Sequence, residues 1–177
     1  ADGSNIRANE TFTRAELLYP LLLNSSNVAA EALASSSDRV KYIEAMARYA
    51  WEIGMSSTYF ADPTGLSSRN ISTARDFFSL AKYLYKNRSD VLSITKTPRY
   101  LLSTTTEHGS HVFTSIHPFV NYPGFLGGKT GHTVEARDTM LTILKIDSRP
   151  IAIIVLGSDD REKDTQMLIE KVGKMVK

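Results

Sequence analysis

Gly124-Phe125-Leu126-Gly127-Gly128-Lys129-Thr130-Gly131-His132-Thr133 is the stretch on which the reading of this chain turns. Two kinds of site use a glycine-rich run carrying a lysine and a hydroxyl residue. A phosphate-cradling loop needs G-x-x-x-x-G-K-[ST] between a strand and a helix. Here Pro123 stands where the first glycine is required, Gly124 is one place off, and strand-like sequence follows Thr130. The spacing fails. The other kind is Lys-Thr-Gly on an edge strand beside a cleft. Glycine lets the backbone approach a substrate closely, while a fixed lysine charge and a threonine hydroxyl together suit a carboxylate. Taken alone, the run reads equally well as a glycine-rich loop before a strand, with a solvated lysine.

Upstream, Ser25-Ser26-Asn27 lies between two helical segments, where a hydroxyl and an amide can project into a cleft. An isolated Ser-x-Asn is also ordinary helix-capping chemistry. The helix before it opens on Thr13, with Glu16 at capping-box spacing, and runs through Leu17, Leu18, Leu21, Leu22 and Leu23, Pro20 limiting its regularity. A small-residue helix follows through Ala29, Ala30, Ala32 and Leu33. Asp38 caps a third, with Val40, Ile43, Met46, Ala47 and Ala50 at helical spacing and Gly54 at its end. Asp62-Pro63-Thr64-Gly65 is a turn. Thr73 caps a fourth helix, with Phe77, Leu80, Ala81 and Leu84 on one face. Arg99–Thr105 and His111–Ser115 read as one hairpin; Asp138–Ile146 and Ile151–Leu156 read as a second, turned at Asp147-Ser148-Arg149-Pro150. A last helix presents Leu168, Val172, Met175 and Val176. Helices first, antiparallel strands next and a closing helix make an α+β order.

The 177 residues suit one domain, or part of a larger one. With 42% hydrophobic and 23% charged residues the chain can bury a core. Its net charge of +2, with the basic residues scattered, gives no nucleic-acid footprint. The lack of cysteine excludes disulfides, thiol catalysis and cysteine-based zinc sites. No run of about 18 apolar residues suggests a membrane span. Ala1-Asp2-Gly3-Ser4 is not a signal peptide and reads as a loop cut into. His108 and His111 have H-x-x-H spacing in a hairpin turn with no third ligand in view, so no metal and no cofactor is expected. Trp51, near Met46 and Met55, reads as core.

Ser-x-Asn followed by Lys-Thr-Gly is the order found, after an earlier Ser-x-x-Lys, in penicillin-binding proteins and serine β-lactamases. The likeness extends further. Leu21–Ala30 resembles the helix and loop that carry Ser-x-Asn. Gly54–Phe60, Pro63–Leu66 and Ser72–Asp76 resemble successive segments of low-molecular-weight D-alanyl-D-alanine carboxypeptidases (serine peptidase family S11), as do Gly124–Thr133, with Gly128 where leucine is common, and Ile153–Gly157. The resemblance runs from about Asn9 onward. It implies a β-lactamase/transpeptidase-like fold, an antiparallel sheet with flanking helices, with residues 1–177 forming a partial catalytic domain.

The family's nucleophilic serine lies in Ser-x-x-Lys ahead of Ser-x-Asn. The two such strings here, Ser79–Lys82 and Ser93–Lys96, both come after it. Ser79 reads as a solvated or helix-packing residue and Ser93 as part of a connection. The N-terminal strands and nucleophile helix are therefore expected outside this chain. The sheet would then expose an edge, and the chain would self-associate or be marginally stable. By resemblance, Ser25 relays a proton to the leaving amine and Asn27 orients the substrate amide and the paired lysine. Lys129 keeps the field positive, Thr130 binds the terminal carboxylate, and Gly131 leaves room for substrate. The backbone N–H of His132 is an oxyanion donor, its ring a weaker candidate base. The implied substrate is a peptidoglycan stem peptide ending in D-Ala-D-Ala, with β-lactams as ligands of the intact enzyme, in an extracytoplasmic setting. Two other readings are a non-cleaving D-Ala-D-Ala or cell-envelope binding module, and a β-lactamase. Against the last, no segment resembles the deacylating glutamate loop of class A enzymes.

Overall fold

Hydrogen-bonding side chains set the helix starts. In the computed structural model, which describes residues 5–175, Thr13 Oγ1 accepts the Glu16 N–H and Glu16 accepts the Thr13 N–H at 2.7 Å. This capping box opens α1 (Arg14–Leu23). Pro20 sits inside α1, buried, without ending it. Ser26, Asp38 and Thr73 accept first-turn N–H groups in the same way at the starts of α2 (Asn27–Ser35), α3 (Arg39–Glu52) and α4 (Ala74–Asn87). Gly54 ends α3 with φ +88°, and Asp62 Oδ1 closes its turn by accepting the N–H groups of Thr64 and Gly65 at 2.7 Å. Ala1–Ser4, read as a loop, and Val176, read as part of the last apolar face, lie outside the described residues.

Ser93 is not in a connection: it lies on a short helix, α5 (Ser89–Thr95). The strands are β1 (Arg99–Leu102), β2 (His111–Thr114), β3 (Phe125–Thr133), β4 (Arg137–Ile146) and β5 (Arg149–Ser158), and α6 (Arg161–Met175) closes the chain. β1 and β2 pair antiparallel, and β3-β4-β5 form an antiparallel sheet. The β4–β5 turn is tighter than expected. Ile146 pairs with Arg149 across Asp147 and Ser148, which both take positive φ, +47° and +65°, as a two-residue primed turn requires. Pro150 therefore sits in the outer strand β5, where a missing N–H does least harm.

β4 is buried on both faces. Met140 and Leu144 join Phe119, Phe125, Ile153, Val155 and Ile169 beneath α6, while Leu141 and Ile143 join Ala81 and Leu92 beneath α4 and α5. Smaller clusters seat α1 on α2 through Leu17, Ala29 and Leu33, and on the hairpin through Leu23, Leu102 and Phe113. This is the α+β architecture expected, with helices on both sides of the sheet. Among the described residues no helix is long and apolar enough to cross a membrane. Two apolar assignments are corrected. Trp51 is 68% exposed and Val40 is also exposed, because α3 packs chiefly on α2 and buries Ala50. On α6 the inward positions are Thr165 and Ile169, leaving Leu168 and Met175 exposed.

His108 and His111 are not isolated in their turn. Both are buried against the segment before α1, with Phe12 stacked on His108 at 4.7 Å between ring centres. His111 Nε2 lies 3.0 Å from Glu10 Oε1. His108 meets acceptors on both ring nitrogens, Gly109 O at 2.8 Å and Glu16 Oε1 at 3.5 Å. Its pKa rises above the usual 6.5, through the Gly109 carbonyl first and then the glutamates, with burial opposing them. Glu16 falls below 4.5, first through the Thr13 N–H. The imidazolium's contribution is thus complete below about pH 6.5 and is lost as pH rises through the higher folded value, whereas that of Glu16 is lost on acidification. Thermal melts from about pH 5 to pH 9 should therefore show His108→Gln lowering Tm most at the acidic end, with the gap closing as pH rises. A gap that is constant or widens with pH would contradict this.

Candidate functional site

The junction between α1 and α2 is built so that one serine caps and the other does not. Asn24 ends α1 in right-handed geometry, and Ser25 then turns to φ +57°. Ser26 Oγ accepts the Ala29 N–H at 3.1 Å and starts α2. The capping role thus falls to Ser26. Ser25 occupies a left-handed conformation that costs an L-residue about 1–2 kcal/mol, and its hydroxyl is directed elsewhere. Backbone bonds pin the junction: Ser26 N–H to Pro20 O, and Ile116 N–H to Leu23 O, each 3.0 Å. Asn27 is the first residue of α2 and is partly buried. Among the described residues no hydrogen bond joins its side chain to Ser25 or Lys129; chain connectivity alone places it beside Ser25.

Lys129 reaches that hydroxyl from β3, an edge strand of the sheet. Its Nζ donates to Ser25 Oγ and to the Thr130 carbonyl, both at 2.7 Å. Thr130 is buried beside it. Burial, and secondarily the Arg161 charge, push the Lys129 pKa down to about 8. The lysine therefore remains mostly protonated at neutral pH and donates to the Ser25 hydroxyl.

Arg161, which the sequence reading did not single out, completes the cationic side. It is the first residue of α6, and its Nη1 donates to Gly131 O at 3.0 Å and to Asp138 Oδ1 at 3.1 Å. A guanidinium has five N–H donors, and these bonds use only Nη1. A sequence signal did exist: a cation at a helix N-terminus opposes the macrodipole, so an arginine there asks for a reason. Asp138 also accepts from His132 Nδ1 at 2.8 Å and stays ionised below its usual range, held first by that bond and then by Arg161. The His132 ring is 64% exposed and committed to Asp138, which speaks against its use as a base. A side chain at Gly131 would strike Thr139 Oγ1, 2.6 Å from an added Cβ, so the glycine serves the neighbouring strand as well as any ligand.

The two out-of-order serines lie elsewhere. Ser79 packs against Gly54, and Ser93 is exposed on α5. The structure thus gathers Ser25, Lys129, Thr130, Gly131 and Arg161, adds His132 through Asp138, and leaves Ser79 and Ser93 outside. Because Ser25→Gly and Ser25→Ala both delete the hydroxyl, their difference isolates the left-handed strain. Urea unfolding should find the glycine variant more stable by about 1 kcal/mol. Equal stabilities would contradict the assigned conformation.

A family model for D-alanyl-D-alanine carboxypeptidases matches residues 2–160. The chain is 30% identical over 171 residues to a D-alanyl-D-alanine carboxypeptidase, DacF, of Bacillus subtilis, covering 93% of this chain and 44% of that protein. It is 31% identical over 161 residues to the D-alanyl-D-alanine endopeptidase of Escherichia coli, covering 88% and 51%. The chain spans about half the length of these curated relatives. Among solved structures, a mutant of a Streptomyces DD-transpeptidase superposes with a TM-score of 0.83 at 27% identity, covering 94% of this chain and 70% of that one. Penicillin-binding protein D2 of Listeria monocytogenes, in a cefotaxime-bound form, superposes with a TM-score of 0.78 at 29% identity, covering 90% and 66%. With a family model matched over most of its length and a fold shared with these structures, this chain belongs to the D-alanyl-D-alanine carboxypeptidase family.

Proposed function

We propose that residues 1–177 supply one wall of an acyl-transfer site that trims peptidoglycan stem peptides ending in D-Ala-D-Ala, and that the nucleophilic serine comes from outside these residues. The observation that carries this reading is the 2.7 Å bond from Lys129 Nζ to Ser25 Oγ, which brings the Ser-x-Asn junction onto the Lys-Thr-Gly strand. In the proposed reaction the external hydroxyl adds to the carbonyl between the two D-alanines. The C–N bond breaks, and the proton lost by the attacking hydroxyl reaches the departing amine through Ser25, which gives up one proton and takes up the other. Water then cleaves the ester, returning the hydroxyl and releasing the shortened peptide. Lys129 holds Ser25 in position and keeps the field positive. Thr130 and Arg161 face the substrate's terminal carboxylate, Asn27 orients its amide, and the His132 N–H is one oxyanion donor. Such a substrate sets the work outside the cytoplasm, in the periplasm or cell envelope.

The cationic cluster of Lys129 and Arg161 favours a ligand with a free carboxylate. It would serve equally well in the second reading, a module that binds D-Ala-D-Ala ends without cleaving them. For either reading, this chain should bind such a peptide and not acylate. Incubated with a fluorescent penicillin, it is expected to show no covalent adduct by mass spectrometry. A peptide ending in D-Ala-D-Ala should bind, and Arg161→Gln or Lys129→Met should weaken it by about 10- to 100-fold, the value of a charge-assisted hydrogen bond. A penicillin adduct on this chain would overturn the external nucleophile, and absence of peptide binding would overturn the site.

A further inference from the structure

His117, in the connection between β2 and β3, is 5% exposed and lies against the strand that carries Lys129. Its tautomer follows from its partners. The Phe119 N–H donates to Nδ1 at 3.2 Å, so that nitrogen carries a lone pair and the proton resides on Nε2. Nε2–H donates to Leu141 O at 3.1 Å, with Thr142 Oγ1 at 3.4 Å. Leu141 is the β4 residue paired with Lys129. The Phe125 ring packs on the imidazole at 4.8 Å between centres.

The ring occupies space that a strand residue would normally claim. A Cβ built at Gly128 would lie 2.5 Å from His117 Nε2 and 2.9 Å from its Cδ2, and it would also collide with the Leu141 carbonyl. Glycine at 128, where the sequence resemblance leads one to expect leucine, therefore leaves room for the His117 ring as well as for the Leu141 carbonyl. The structure assigns His117 and Gly128 as a matched pair. The neutral imidazole stands in for a side chain at 128, holds the β4 carbonyl opposite Lys129, and so sets the lysine at its distance from Ser25. In this role His117 is a positioning residue for the proposed D-Ala-D-Ala wall, and the inference rests on that reading for its functional consequence.

Protonation would undo the arrangement, because a second ring proton on Nδ1 would face the Phe119 N–H. Burial pushes the His117 pKa down to about 4. The Leu141 carbonyl pulls the other way, and the Lys129 and Arg161 charges push further down. The charged groups around it are thus Lys129 from β3 and Arg161 from α6, the latter bonded to Asp138 of β4. Since the folded value lies below the ordinary 6.5, the neutral ring's contribution is complete above about pH 6.5 and is lost as pH falls through about 4.

The test reads the lysine directly. NMR titration of the Lys129 side chain needs no ligand, and affinity for a D-Ala-D-Ala-terminated peptide is measured in parallel between about pH 4 and pH 8. His117→Ala should raise the Lys129 pKa from about 8 toward the ordinary lysine value of 10.5 and weaken the peptide by about tenfold. His117→Gln places an amide donor near the Nε2 position without a titrating group. It should retain the wild-type lysine value and remove the acid-side loss of affinity. Gly128→Ala should shift the Lys129 titration in the same direction as His117→Ala, because its methyl strikes both the ring and the Leu141 carbonyl. If folded His117→Ala or Gly128→Ala keeps the wild-type lysine titration, or His117→Gln keeps the acid-side loss, the pairing is wrong. If no form binds the peptide, the functional reading fails, while the lysine titration still decides the pair.

Discussion

The site depends on a half-buried ammonium. Lys129 Nζ is partly withdrawn from water, and its charge is stabilised there by Ser25 Oγ and the Thr130 carbonyl, which accept from it at 2.7 Å. That one bond joins residues 104 positions apart and constrains both ends. At one end the chain must break between two helices and put a serine in left-handed geometry. At the other, a strand must present its lysine from the edge of the sheet rather than from its middle.

The rest of the fold meets those demands. β4, buried on both faces, is a rigid rail to which β3 is paired residue by residue around Lys129. α6 packs on one side of the rail and brings Arg161 to the Gly131 carbonyl. α1 is held by the Leu23, Leu102 and Phe113 cluster and by the Ile116 N–H bond to its last carbonyl. The Ser25 hydroxyl is thereby placed by packing that involves neither Ser25 nor Lys129. Such division lets a strained, desolvated site persist on a scaffold whose stability lies elsewhere.

What was legible in the sequence had local causes. Thr13, Asp38 and Thr73 announce helix starts because a side-chain oxygen must satisfy free N–H groups, and the α+β order follows from period and turn chemistry. The Ser25 and Lys129 regions were found because their residue types keep a fixed order. Features set by tertiary packing were not legible. α5 begins at Arg88 without a side-chain cap, so no start signal exists. Trp51 has an apolar neighbour pattern, but whether anything covers it depends on where α3 lies. Arg161, Asp138 and His132 form one network only because α6 packs back on β5 and β4, and the contact of His117 with Gly128 is invisible until the two approach.

The most direct measurement of the central claim is a double-mutant cycle between Ser25→Ala and Lys129→Met, read as affinity for a D-Ala-D-Ala-terminated peptide by calorimetry. If the Ser-x-Asn junction and the Lys-Thr-Gly strand act as one unit through their shared bond, the losses will be strongly non-additive. The coupling should reach about 1.5–3 kcal/mol, as for a hydrogen bond to a charged group, with the double variant hardly worse than Lys129→Met alone. Additive losses would mean that the two segments touch without working together, and would contradict the account.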